Sequence, residues 1–236
     1  MSDRSLSAGV LAAGRGERLR SRPSDLKPLV RVGHETLIEH VLGSIAAAGA
    51  STVTVIINEE SMAVRDHVLT RDWPFELDWL IETTPSSMHS FLRLVEALAH
   101  NESRGPFLLS TVDTIAGPRV FADFIERART VPAALTLGLT SPGDDEKPLL
   151  VRTSPNNSCI EAFGEGEFAT AGIYAVRPIV LREADEARRD GLDALRKFLS
   201  RLLDRGYHLT GIPISGSIDV DHRRDIAAAE SFLRSL

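Results

Sequence analysis

A loop with two glycines near the N-terminus carries the first residues that could take part in chemistry. It follows a short apolar stretch and reads Leu11-Ala12-Ala13-Gly14-Arg15-Gly16-Glu17-Arg18-Leu19. Gly14 and Gly16 lack the Cβ atoms that would keep phosphate oxygens away from backbone N–H groups, and both can adopt positive φ. The loop has neither a Gly-Lys-Ser/Thr ending nor a third glycine, which excludes a P-loop and a dinucleotide-binding motif.

Two cations accompany this loop, with Arg18 inside it and Lys27 nine residues later. Attack on the α-phosphate of a triphosphate places negative charge on its oxygens and on the departing pyrophosphate, and fixed cations stabilise that charge. Arginine can bind two oxygens in a planar fork, whereas lysine supplies a mobile point charge. The pattern favours a triphosphate site with Arg18 and Lys27 as catalytic groups. The alternative is a tight turn with two solvated cations.

Two aspartates are candidates for binding a metal ion. Asp113 follows the buried run at 107–109, and Asp219 lies in Ser217-Ile218-Asp219-Val220-Asp221. A triphosphate requires a hard cation such as Mg²⁺, which takes oxygen ligands and needs few protein groups. The alternatives are that Asp113 caps its own turn, and that Asp219 is exposed with Asp221 as the metal ligand in its place.

The elements that position these residues alternate between strand-like and helix-like segments. Short apolar or β-branched runs predict strands at 8–13, 52–57, 76–81, 107–109, 133–139, 171–176 and 208–214. Apolar residues at helical spacing predict helices that begin near 36, 86, 120, 192 and 225. This order predicts an α/β fold, a Rossmann-like three-layer α/β/α sandwich around a mixed, mostly parallel sheet. Ligands then bind beyond the strands' carboxyl ends, at 14–18, 83–90, 110–114 and 219–221.

Charge and composition exclude several other classes of protein. The formal net charge is −6 and no element concentrates lysines or arginines, so a nucleic-acid polymer is not expected as partner. The single cysteine, Cys159, cannot form an internal disulfide, which indicates a reducing compartment. No apolar run reaches the ~20 residues of a membrane span. We therefore expect a cytoplasmic protein that does not enter the membrane.

Three short motifs together resemble the signature of the sugar-phosphate nucleotidyltransferases, which comprise the NDP-sugar pyrophosphorylases and the related cytidylyltransferases. They are the loop at 11–19, Lys27-Pro28-Leu29-Val30, and Leu37-Ile38-Glu39. The resemblance implies a GT-A-like fold and transfer of a nucleoside monophosphate from an NTP to a sugar phosphate or related phosphorylated alcohol, with release of pyrophosphate.

The same resemblance implies roles for individual residues. Gly14 and Gly16 would hold the phosphates, Arg18 would contact the β- and γ-phosphates, and Lys27 would stabilise the α-phosphate. The backbone of Leu11, Ala12 and Ala13 would run along the nucleoside. Asp113 and Asp219 correspond to the family's two aspartate motifs and would bind Mg²⁺.

Three later segments carry weaker parts of the resemblance. Ser86 and Ser87 stand where the family binds the nucleotide, and hydroxyls at a helix N-terminus can hold phosphate or ribose, the alternative being simple capping of the helix. Glu165 and Gly172 match positions that contact the acceptor. Residues 141–168 predict a hairpin-rich insertion within the acceptor-binding half of a single domain that spans 1–236.

Two departures from the family pattern keep other functions open. Val112 replaces the glycine that usually precedes Asp113, and the lysine expected after Glu165 is missing. One alternative is a GT-A-type glycosyltransferase, and the other is a non-catalytic module that binds nucleotide or sugar and regulates a partner. The sequence leaves the base, the acceptor and the oligomeric state open.

Overall fold

The computed structural model describes residues 5–14, 16, 18–19, 25–100, 105–142, 148–156 and 158–236, so that 143–147 and 157 of the predicted insertion lie outside it. The described strands are β1 (Leu6–Leu11), β2 (Arg31–Val32), β3 (Glu35–Thr36), β4 (Ala50–Ile57), β5 (Glu76–Ile81), β6 (Phe107–Thr111), β7 (Thr114–Ala116), β8 (Leu135–Thr140), β9 (Leu150–Thr153), β10 (Ile160–Phe163), β11 (Phe168–Val176), β12 (Leu209–Pro213) and β13 (Ser217–Asp219). The described α-helices are α1 (Leu37–Ala47), α2 (Met62–Val68), α3 (Ser87–His100), α4 (Val120–Thr130), α5 (Ala184–Arg189), α6 (Leu195–Asp204) and α7 (Arg223–Arg234).

The main sheet is mixed, with a parallel half that positions the loops. Its strand order is β10-β9-β11-β6-β1-β4-β5, and β8 pairs with both β11 and β12. Strand β1 runs parallel to β4 and β6, and β4 runs parallel to β5, whereas β11 is antiparallel to β6. Leu11 at the end of β1 pairs with Ile56 on one side and Thr111 on the other. The carboxyl ends of the four parallel strands therefore meet at one edge, as the sequence predicts.

Helices cover the two faces of this sheet, which confirms the three-layer arrangement. Ile38 and Val41 of α1 and Phe121 of α4 are fully buried in a core with β1 and β4. Phe91 of α3 and Phe198 of α6 are fully buried in the core of the opposite face. Burying a side chain of this size contributes about 1.5–3 kcal/mol, so these faces anchor the helices.

A smaller hydrophobic cluster fastens the glycine loop to the C-terminal segment. Leu19, which follows the loop, is buried with Ile115 of β7, Val220 after β13 and Ala229 of α7. Arg18 precedes Leu19, and Asp219 and Asp221 flank Val220. This cluster thus holds two parts of the site together although about 200 residues of sequence separate them.

Some elements differ from those that the sequence predicts. The short helices α2 and α5 escape prediction because six or seven residues contain too few periodic positions to reveal an apolar face. Residues of the predicted insertion form β9 and β10, which extend the main sheet beyond β11. Across the described part of the chain, every helix is too short or too polar to cross a bilayer.

Candidate active site

A cleft of about 850 Å³ lies beyond the carboxyl ends of β1, β4, β5 and β6. The loops after these strands line it, together with Lys27, the first residue of α6 and the segment after β13. The lining residues are Leu11, Ala13, Gly14, Gly16, Arg18, Lys27, Asn58, Glu60, Thr83, Thr84, Pro85, Ser86, Ser87, Ser90, Thr111, Val112, Asp113, Leu195 and Asp221. Nine of the thirteen predicted site residues are among them.

The glycine loop and Lys27 contact each other directly. Gly16 has φ +60, and a Cβ placed there would lie 2.3 Å from Lys27 Cβ, so any side chain at this position would collide with the lysine stem. Gly14 adopts no positive φ, contrary to the expectation for both glycines, and a Cβ there would meet no atom within 4 Å. Gly16 therefore allows close packing on Lys27, whereas Gly14 leaves open space in the cleft.

The Lys27 ammonium lies between two carboxylates. Its Nζ donates to Asp113 Oδ2 at 2.5 Å and to Asp221 Oδ1 at 2.6 Å. Burial would lower the pKa of Lys27, but the two carboxylates outweigh burial and hold that pKa above its usual range. Burial would likewise raise the pKa of Asp113, but the Lys27 ammonium holds it below its ordinary value. At neutral pH both partners are therefore charged.

Asp219 is positioned by a short ladder between β7 and β13. The strands are antiparallel with Asp219 opposite Thr114, and Val220 N donates to Asp113 O at 3.0 Å. Thr114 Oγ1 donates to Asp219 Oδ1 at 2.9 Å. Burial of the carboxyl group and the negative charge of Asp113 raise the pKa of Asp219 to about 7. Protein atoms surround the carboxyl group, but a large part of the residue is still accessible to solvent, and this solvent moderates the rise in pKa.

Gly172 lies against the same threonines. It has φ +67, and a Cβ there would come within 2.2 Å of Thr114 Oγ1 and 2.4 Å of Thr111 Oγ1. The two hydroxyls are 2.9 Å apart. The glycine is therefore required by the packing that holds Asp219, and its role toward an acceptor stays a prediction.

The N-terminus of α3 presents hydroxyl groups to the cleft. Ser86 Oγ lies 2.8 Å from His89 Nδ1, and Ser87 Oγ accepts a hydrogen bond from Leu195 N at 3.0 Å. Thr84 Oγ1 and Ser90 Oγ are 2.6 Å apart. Ser86 Oγ also accepts a hydrogen bond from His89 N at 3.5 Å, so Ser86 caps the helix, whereas Ser87 ties it to α6. Both residues line the cleft.

Four predicted site residues do not line the cleft. Ala12 is buried beneath the loop, and Asp219 and Gly172 lie behind the threonines. Glu165 is exposed on the turn after β10, where its Oε1 accepts a hydrogen bond from Arg152 Nε at 3.2 Å and forms an ion pair with Arg152 Nη2 at 3.1 Å. Their roles as nucleotide, metal and acceptor contacts stay predictions.

The structure also places residues in the cleft that sequence reasoning omitted. Asn58 and Glu60 follow β4, and the Asn58 amide donates to Ala13 O at 3.3 Å, which supports the backbone of the loop. Both residues lie beyond the carboxyl end of β4, where ligands of such sheets bind, so the predicted strand at 52–57 carries the signal for them. Asp221, considered only as a substitute for Asp219, is the carboxylate that contacts Lys27.

The donor set suits a hard divalent cation accompanied by a polyphosphate. Within the described ranges no group of three or more His, Cys, Asp or Glu side chains could hold a metal on its own. Mg²⁺ bound with phosphates needs only one or two carboxylates, its other ligands being phosphate oxygens and water. After burial, the negative charges of Asp113 and Asp221 raise the pKa of Asp219, and a cation beside these carboxylates would relieve that repulsion. The residues present therefore fit magnesium.

The chain is similar in sequence to proteins of known family. A family model described as "MobA-like NTP transferase domain" matches residues 8–177. CMP-5'-(3-aminopropyl)phosphonate synthase of Streptomyces rubellomurinus is 28% identical over 213 residues, which are 85% of this chain and 32% of that protein. Mannose-1-phosphate guanyltransferase of Emericella nidulans is 28% identical over 191 residues, 76% of this chain and 52% of that protein.

A solved structure shares the fold over nearly the whole chain. The inositol-1-phosphate CTP transferase from T. maritima superimposes with a TM-score of 0.80 at 19% identity, covering 99% of this chain and 98% of that one. This chain spans only about a third to a half of the length of the curated relatives described above.

Proposed function

Since the chain belongs to the MobA-like NTP transferase family, we propose that it is a magnesium-dependent nucleotidyltransferase that joins a nucleoside monophosphate to a small phosphorylated acceptor and releases pyrophosphate. One observation carries the proposal. Lys27 lies against Gly16 of the predicted phosphate loop and bonds to Asp113 of the predicted metal site, inside one cleft. A loop for phosphate, a buried cation and a carboxylate thus converge where a triphosphate would bind.

The reaction that fits these groups is in-line attack by an acceptor phosphate oxygen on the α-phosphorus. A phosphate monoester is already anionic at neutral pH, so the step needs no general base. The backbone of the glycine loop would hold the polyphosphate, with Arg18 at the β- and γ-phosphates. Lys27 would stabilise the charge that develops on the α-phosphate. Catalysis then depends on alignment and neutralisation of charge.

Asp113 would hold the magnesium ion, with Asp219 or Asp221 as the second carboxylate. The ion would supply neutralisation of charge on the phosphates. Thr114 orients Asp219 through its 2.9 Å hydrogen bond. The hydrogen bond from Val220 N to Asp113 O joins the segment that carries Asp113 to the segment that carries Asp219 and Asp221. These contacts within the chain keep the carboxylates close despite their mutual repulsion.

The nucleotide would extend past the N-terminus of α3. Ser86 and Ser87 offer hydroxyls and helix N–H groups to the ribose or to a phosphate, and Glu165 and Gly172 belong to the acceptor half. The names of the relatives include both a sugar phosphate and a phosphonate, which supports an anionic acceptor. We place all of these groups in a single domain with 141–168 as an insertion.

A screen for pyrophosphate release tests the proposal. It crosses UTP, CTP, GTP and dTTP with a panel of sugar and polyol phosphates and a phosphonate, with Mg²⁺ and with excess EDTA. We expect one pair of triphosphate and acceptor to release pyrophosphate in proportion to the product formed. Excess EDTA should stop this release. Transfer from a UDP-sugar without pyrophosphate chemistry would favour the glycosyltransferase, and nucleotide binding without turnover of any acceptor would favour a regulatory module.

A further inference from the structure

The contacts of Lys27 use the oxygen atoms that a divalent cation would need. Its ammonium bonds to Asp113 Oδ2 and to Asp221 Oδ1, both within 2.6 Å. Carboxylate oxygens are also the protein ligands of Mg²⁺ and Mn²⁺. An ammonium hydrogen-bonded to these atoms and a metal ion at the same carboxylates exclude or weaken each other, because each neutralises the same negative charge.

The position of Lys27 favours this competition. The residue is only 9% exposed and its stem lies against Gly16, so solvent screens its ion pair with Asp113 less than its pair with Asp221, whose side chain is 36% exposed. Its carboxylate partners come from two segments, after β6 and after β13, that Val220 N joins at Asp113 O. Another anion in the cleft can bind the ammonium in their place. The phosphates of a nucleotide in the same cleft are such an anion.

We propose that Lys27 competes with the divalent cation for Asp113, and that the triphosphate relieves this competition by binding the ammonium. The inference rests on the proposed function and adds to it an order in which the triphosphate and the metal bind. The metal binds the protein alone weakly, and it binds more tightly once the triphosphate holds Lys27. By linkage, the metal strengthens triphosphate binding by the same factor.

The test is Mn²⁺ binding without nucleotide, measured from the paramagnetic resonance signal of free Mn²⁺. Lys27→Met removes the charge and keeps a stem of similar length. We expect this variant to bind Mn²⁺ at least tenfold more tightly than the wild type. Lys197→Met is the matched control, because Lys197 is exposed, pairs with Asp193 at 2.7 Å and lies outside the cleft. The control removes one positive charge and should bind Mn²⁺ as the wild type does.

A second measurement uses the wild-type chain and does not depend on the folding of a variant. The chain has three lysines, at 27, 147 and 197, so a spectrum of ¹⁵N-labelled lysine side chains has few signals to assign. Substitution of Lys197 and, in a second variant, of Lys147 by arginine identifies the Lys27 signal by elimination. We expect addition of Mg²⁺ with a non-hydrolysable triphosphate to shift the Lys27 signal while the Lys197 signal stays in place.

The outcomes separate this inference from the proposed function. The competition is wrong if the wild type and Lys27→Met bind Mn²⁺ with equal affinity, or if the Lys27 signal does not shift when Mg²⁺ and triphosphate are added. Either result leaves the proposed nucleotidyl transfer unaffected. An absence of Mn²⁺ binding in every sample, with and without triphosphate, overturns both the competition and the magnesium dependence.

Discussion

Gly16→Ala tests whether close contact between the glycine loop and Lys27 is needed for activity. Alanine at φ +60 costs about 1–2 kcal/mol relative to glycine. Its Cβ would lie 2.3 Å from Lys27 Cβ, and that carbon is fixed to the backbone, so no rotation of the lysine side chain relieves the contact. Ordinary carbon contacts are about 3.5–4.0 Å, so the loop must move away from Lys27 by roughly 1 Å or more.

A displacement of that size changes the rate far more than the stability. Misplacing reacting groups by about 1 Å costs roughly 100-fold in rate, so we expect pyrophosphate release to fall by about that factor. Loss of stability should stay within about 1–3 kcal/mol, measured by urea denaturation.

Gly33→Ala is the matched control for this change. Gly33 also has a positive φ, +65, but a Cβ there would meet no atom within 4 Å, and the residue lies outside the cleft. This variant should lose similar stability from the backbone conformation alone and keep its activity. If Gly16→Ala retains activity within threefold of Gly33→Ala, the packing of the loop on Lys27 is not what positions the phosphates.

Three further substitutions test the site, the core and the electrostatics. Lys27→Ala should reduce pyrophosphate release at least 1,000-fold with a native circular dichroism spectrum, since a buried cation at the developing charge contributes several kcal/mol, and near-wild-type turnover would remove Lys27 from the mechanism. Phe91→Ala should lower the free energy of unfolding by about 3–5 kcal/mol because the ring is fully buried, whereas Leu69→Ala, at 53% exposure, should change it by less than about 1 kcal/mol; equal values would contradict the assigned core. The pKa of Asp219, about 7, exceeds that of an unfolded aspartate, so this carboxyl's contribution to stability falls as pH rises from about 4 to 7. Asp219→Asn should therefore match the wild-type Tm at pH 4 and exceed it at pH 8, and a Tm difference that does not change with pH would contradict the raised pKa.

Much of the fold follows from local sequence patterns. The strands that end at Leu11, Ile57 and Ile81 are short apolar or β-branched runs, and a chain that alternates them with helices has few ways to bury both faces of a sheet. The start of α1 is also local, because Thr36 and Glu39 form a capping box in which Thr36 N donates to Glu39 Oε2 at 2.7 Å.

The contacts within the site that the sequence does not predict depend on pairings between distant segments. Asp221 contacts Lys27 only because β13 pairs with β7, and strands of three residues leave almost no periodic signal. Thr111 and Thr114 are ordinary loop residues in the sequence, and their proximity to Gly172 appears only once β11 lies beside β6.

The position of phosphorus label after one round of reaction tests nucleotidyl transfer most directly. The accepted triphosphate is supplied labelled with ³²P at the α-position in one sample and at the γ-position in another, together with its acceptor. We predict that the α-label appears in the acceptor product and the γ-label in pyrophosphate, in equal amounts. Release of the γ-label as inorganic phosphate, with no α-label on the acceptor, would contradict attack at the α-phosphorus.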